Sequence, residues 1–440
     1  MSNFRKHPAA TCRAVAIRKR FHFAGWTLAA ALAAGLGLVI AATAGDPSPA
    51  NDLWSIDADV LEEGVMASAD YLVAACREDG SFIYRINLDP DVDPGERYNI
   101  LRHAGAMFAL GMYHRIHPTD TRVADVLARS GRFLREQARA VPGRDEMRAV
   151  WSRPGMELPG DHDQAKLGGA GLGLAALLTL EQVVPGSTPL EELRALGRFI
   201  CYMQKPDGSY FSKYIPGREG RDDSWTSLYY PGEAALGLVM LYEIDPRSEW
   251  LEAAARTLEF LARSRTGRRH VEVDHWALIA SARLMPHLPK VRSIVAREKL
   301  LAHAVQQSEA ILRTQILRRG NRPERVGAFD SEARTTPAAT RLEGLMAALT
   351  FLPEDERLRN RIAIATGFGL DFLLRAQVRD GKHRGAMPRA ISGMPQYERG
   401  EQGSGDRDSE VRIDYVQHAL SAMIQAVELR NEKRRLTPDV

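Results

Sequence analysis

Side chains able to move protons or hold anions recur at the heads of six apolar stretches in this chain. Glu233 follows Tyr229-Tyr230-Pro231-Gly232. Asp414 follows Arg412-Ile413, with His418 one turn further on the same helical face. Glu343 lies in Thr340-Arg341-Leu342-Glu343-Gly344. Two carboxylates flanking a bond are what glycosidic cleavage uses, one as protonated acid and one as base or nucleophile. Glu233 and Asp414, in the third and sixth stretches, are expected to face each other as that pair, with Glu343 as a further acid. Bland roles stay open: Glu233 can complement a helix dipole, and Asp414 can cap a helix above a hydrogen-bonded core His418.

The other stretches offer binding groups. Arg102 and His103 head the first, and Asp163 and Lys166 the second. Asp274, His275 and Trp276 head the fourth. Tyr229 and Tyr230 are expected to form a stacking platform for a sugar. Arg102, Lys166, Arg341 and Arg412 around one cavity would suit an anionic glycan, because guanidinium grips carboxylate in a two-pronged fork. Four internal salt bridges with the neighbouring acids are the other reading. On uronic acids the chemistry becomes elimination or epimerisation, with a Tyr or His base. No His-Glu-x-x-His and no cysteine set is present, so neither metal nor cofactor is expected. Gly168 to Gly173 lacks the preceding strand of a nucleotide loop and reads as close helix packing.

The six stretches, 102–118, 166–185, 229–246, 274–289, 340–353 and 413–429, are rich in Ala, Gly and Leu on nearly all sides, the mark of buried helices. Between them lie amphipathic, charged segments near 58–77, 121–140, 188–205, 247–264, 296–317 and 359–377. Several end in a related phrase, as in Gln204-Lys205-Pro206-Asp207-Gly208-Ser209-Tyr210, where Asp-Gly supplies turn chemistry. Twelve alternating helices with unequal loops point to a closed all-α ring, an (α/α)6 toroid over 55–430, rather than an open solenoid of constant repeat length.

The chain has 440 residues and a formal charge of +3. Six of its 59 cations fall within the first 22 residues, which hold no acid, so the remainder carries 53 cations against 56 acids. That balance argues against a nucleic-acid partner. Residues 1–22 form a basic start, 23–45 an uncharged apolar run ending Ala42-Thr43-Ala44, and 46–54 a linker. This is the pattern of a secretory signal or of a single N-terminal membrane anchor. Either places the ring outside the cytoplasm, in the periplasm or its equivalent. Residues 395–410 read as a polar loop beside the last helix, and 431–440 as a charged tail. Cys76 and Cys201 read as separate buried thiols, with a disulfide as the alternative.

The six hairpins, the buried Gly/Ala helices and the Gln-x-x-Asp-Gly-Ser-Tyr phrase resemble the six-hairpin glycosidase superfamily. They are also similar to the terpenoid cyclase and prenyltransferase toroids, whose Asp-x-Asp-Asp acid motif has no counterpart here. The resemblance implies a carbohydrate-active enzyme, by default a glycoside hydrolase, with a glycan-binding toroid that lacks catalysis as the alternative.

Overall fold

A computed structural model describes residues 52–436, apart from 158–159, 161, 218–219, 294, 319, 321, 395 and 398–404. The leader, Asp161, half of the 395–410 loop and the chain end therefore lie outside the described residues. Among those described, no helix is long and apolar enough to cross a membrane. Cys76 and Cys201 are free thiols.

Among the described residues, twelve helices of ten residues or more alternate between two layers. The outer ones are α1 (Ala58–Ala75), α3 (Thr121–Gln137), α5 (Leu190–Met203), α7 (Ser248–Arg265), α9 (Arg297–Leu312) and α11 (Glu356–Ala376). The inner ones are α2 (Ile100–Ile116), α4 (Leu167–Val183), α6 (Tyr230–Ile244), α8 (His275–Leu284), α10 (Thr335–Leu349) and α12 (Ile413–Leu436). Each inner helix packs on the next, and α12 packs back on α2, so the inner ring closes. Every residue of α4 from Leu167 to Leu180 is buried, whereas α3 buries one stripe that includes Val123, Val126, Leu127 and Leu134. A helix apolar all round needs neighbours on every side; a striped one has a face for water. Closing six such pairs into a ring satisfies both.

The repeated phrase has a physical role. Asp207 Oδ1 accepts from the backbone N–H and hydroxyl of Ser209, at 3.0 and 2.7 Å. Gly208 between them has φ +91°, and a Cβ there would lie 2.5 Å from the Arg256 carbonyl oxygen of the next outer helix. Gln204 donates to Ala253 O and Thr257 Oγ1, both at 2.8 Å. In the last unit Gln377 donates to Gly64 O and Ser68 Oγ, again at 2.8 Å, tying α11 to α1 and closing the outer layer.

Four features differ from the sequence reading. A five-stranded antiparallel sheet grows from the second and third units: β2 (Ala138–Val141), β3 (Arg144–Ser152), β4 (Gln164–Lys166), β5 (Lys213–Ile215) and β6 (Gly220–Asp222). Four of its strands have three or four residues, too few to show a period of two. Two further strands, β1 (Arg85–Asn87) and β7 (Glu410–Arg412), pair antiparallel between the first and last units. Finally, α10 begins at Thr335 rather than near 340. Thr335 Oγ1 donates to Pro388 O at 2.6 Å, and Pro337 in the first turn needs no N–H partner. Arg341 and Glu343 therefore sit in the second and third turns. At the other end α12 runs on to Leu436, so part of the expected tail is helix, with Lys433 Nζ 4.2 Å from the Trp54 ring centroid.

Candidate active site

The heads of the inner helices meet at one mouth of the ring, and its two sides differ. On the α2 and α12 side every charge is matched. Arg102 Nε donates to Asp414 Oδ2 at 2.9 Å, and its Nη1 to the Tyr84 hydroxyl at 2.7 Å. Arg412 holds both oxygens of the same carboxylate, at 3.1 and 3.0 Å, and lies 4.4 Å from the Tyr415 ring centroid. The β1–β7 pair places Arg412 there by setting it opposite Arg85. Burial pushes the Asp414 pKa up, but Arg102, Arg412 and His418 together hold it below the ordinary carboxylate value. Lys166 is ion-paired with Glu157, whose other oxygen accepts from Ser152 Oγ at 2.7 Å.

On the α6, α8 and α10 side, buried polar atoms lack partners. Glu233 is 5% exposed and its Oε2 accepts no hydrogen bond. Burial raises its pKa to about 8, with Asp274 adding repulsion and Arg102 opposing it. Room for that carboxylate comes from Gly168 at the head of α4, where a Cβ would lie 2.2 Å from Glu233 Oε2. The glycine run thus serves close helix packing, with a Cβ at Gly171 only 2.6 Å from Ala234 N.

His275 Nε2 is buried without a hydrogen-bond partner, and 3.8 Å from Glu343 Oε2. The same Oε2 lies 2.8 Å from His418 Nδ1. The two imidazole rings stand 5.4 Å apart, edge to face, with Trp276 beside both. Burial drives the His275 pKa well below its usual value, aided by His418 and Arg341. Burial also raises that of Glu343, opposed by His418 and Ser421. A buried carboxylate on His418 Nδ1 fixes the ring and leaves Nε2 for a ligand, as a second group orients a catalytic base. These three side chains also present ligand atoms within 4.8 Å of one another, a spacing suited to a metal ion.

Arg341 completes this side. Its Nη1 donates to Pro337 O at 3.0 Å, while its Nε is buried without an acceptor. Tyr229 is 38% exposed and edge-on to His275 at 5.2 Å.

Other candidates lie elsewhere. His103 faces the outer layer, with Nδ1 at 2.7 Å from the Tyr98 hydroxyl and Nε2 at 3.0 Å from Ser130 O. Both nitrogens are taken, and burial lowers its pKa to about 4. Asp274 caps α8 and is ion-paired with Arg265 at 2.8 Å, between helices α7 and α9 rather than in the mouth. Asp163 pairs with Arg139 at 2.6 Å beside the sheet. Tyr230 packs on Trp225 instead of pairing with Tyr229 as one platform. Tyr84 and Glu157, which line the mouth beside Arg102 and Arg412, carry no helical periodicity and stand in loops, so spacing did not single them out.

The closed ring of six helical hairpins defines the class: an (α/α)6 toroid. No family model matches the chain, and no curated protein matches it in sequence. Among solved structures it is similar to a D-mannose isomerase, with TM-score 0.57 and 11% identity over 85% of this chain and 98% of that one. It is similar to cellobiose 2-epimerase from Spirochaeta thermophila, with TM-score 0.58 and 12% identity over 87% and 100%. It is also similar to the GH76 α-mannanase of Bacteroides thetaiotaomicron, with TM-score 0.53 and 14% identity over 86% and 97%. At such identities the likeness establishes the fold.

Proposed function

We propose that the protein is a carbohydrate-active enzyme whose mouth performs acid–base chemistry on a sugar. The observation that carries the reading is Glu343 Oε2 standing between His418 Nδ1 and His275 Nε2. In this reading His418 Nε2 removes the proton from the carbon next to a sugar carbonyl. The electron pair moves onto the carbonyl oxygen, and Glu343 stabilises the imidazolium that forms. Passing the adjacent hydroxyl proton to the former carbonyl oxygen, and returning the His418 proton to the neighbouring carbon, isomerises the sugar. Likeness in fold to an isomerase and an epimerase supports the reading. The unpaired Glu233, Arg341 and His275 atoms support it too, since buried polar groups ordinarily have partners and a bound sugar would supply them.

A second reading is hydrolysis, favoured by one observation: Glu233 stays protonated near neutral pH while Asp414 is ionised, the split that a glycosidase acid and base require. Against it, both Asp414 oxygens are engaged by arginines. The leader supports action outside the cytoplasm, as an exported or anchored protein. The test is proton NMR of reducing sugars in D2O beside a glycoside panel. Deuterium entering next to the carbonyl, and lost in His418→Asn, is expected. Glycoside cleavage that needs Glu233 and leaves reducing sugars unexchanged would replace this reading with hydrolysis.

A further inference from the structure

Four cations offered themselves for an anionic ligand, and the structure separates them. Lys166 is matched by Glu157, while Arg102 and Arg412 share Asp414. Arg341 alone of the four has no ion pair among the described residues. The charged and titratable groups around it are few. Asp330 is held by Arg334 Nε at 3.0 Å, and Tyr229 and His275 bring no negative charge at neutral pH. A guanidinium taken from water without a carboxylate weakens the folded state, and that cost is offset when an anion enters. The bond to Pro337 O fixes one end of the fork, and Nε on its other edge is buried without an acceptor.

We infer that Arg341 binds a carboxylate on the substrate, so that the site takes sugars of the uronate class. The inference rests on the reading of the mouth as a sugar site. One planar guanidinium matches a planar carboxylate; a phosphate, with three oxygens to satisfy, calls for more donors than this wall supplies.

Titration calorimetry on the full chain at low salt tests it. The probes are D-glucuronate, D-galacturonate and D-mannuronate, each beside its neutral sugar, with glucose 6-phosphate as a separate arm. At least one uronate is expected to bind ten-fold or more tighter than its neutral partner. Arg341→Gln should erase that preference, lowering uronate affinity far more than neutral affinity, and Arg341→Lys should keep part of it. Should Arg341→Gln fail to fold, Arg341→Lys and added chloride on the wild type give the same reading: both should narrow the preference. Uronates binding no better than neutral sugars, a preference that survives the substitutions, or tighter binding of the phosphate would each overturn the inference. Binding is measured without turnover. Arg341-dependent uronate binding with no deuterium exchange would reject the acid–base reading and leave this one standing.

Discussion

The two sides of the mouth are made of the same residue types and have opposite characters. Around Asp414, two arginines, a tyrosine and a paired strand satisfy every charge. Around Glu233, His275 and Arg341, equally buried polar atoms are left bare. Pairing makes a wall, and incompleteness makes a site, because a folded chain retains unsatisfied buried groups chiefly where a ligand will meet them. The contrast can be broken from either side.

The largest effect is expected from the bare side. His418→Asn should lower sugar proton exchange by about 100- to 10,000-fold with the fold intact, the range for a lost acid–base group. Glu343→Gln should cost less, and its loss should be seen mainly in the rate at saturating sugar. From the paired side, Asp414→Ala leaves Arg102 and Arg412 without their shared carboxylate. It should destabilise the protein by about 3–5 kcal/mol in denaturant unfolding. A fully stable Asp414→Ala protein would sink the wall-and-site distinction.

Glu233→Gln should do the reverse. The folded carboxyl has a pKa near 8 against 4.5 for the ordinary group, so the folded state holds its proton over that window while the unfolded state has lost it. Wild-type stability therefore falls as pH rises from about 4.5 to 8, and the glutamine variant should be spared that fall. The gain is expected to be of order 1–3 kcal/mol at pH 8–9 and absent at pH 4. Acid should work on the histidines. His103, His275 and His303 have folded pKa values below 6.5, so stability is lost as pH drops from 6.5 toward 4. His103→Gln should soften that loss without touching exchange. The smallest effect is diagnostic: micromolar Zn²⁺ should inhibit by occupying His275, Glu343 and His418, and Glu343→Gln should relieve the inhibition.

Much of this molecule was legible as a string of residues. Six Ala/Gly-rich segments predicted six inner helices, and four of the six begin within one residue of the sequence estimate. α2 starts two residues early and α10 some five. The candidate list, drawn from helix heads, contains Glu233, His275, Arg341, Glu343 and His418. Their roles were less legible. Asp414 and Glu233 look alike in sequence, each an acid at the head of an apolar helix. The difference comes from Arg102 and Arg412, one of them 312 residues away. His103 and His275 are also alike in sequence, and only their neighbours turn one toward the outer layer and the other toward the mouth.

The sequence by itself determined the architecture, because helix character is written in local periodicity and a ring of two layers is what two kinds of helix demand. It also narrowed the residues at the mouth to a short list, since a helix head is a local feature. The tertiary structure decided which of them are spent on one another and which are left for a ligand. Partnership is set by distance in space, through strands such as β1 and β7 that meet only when the ring closes, and no local pattern encodes it.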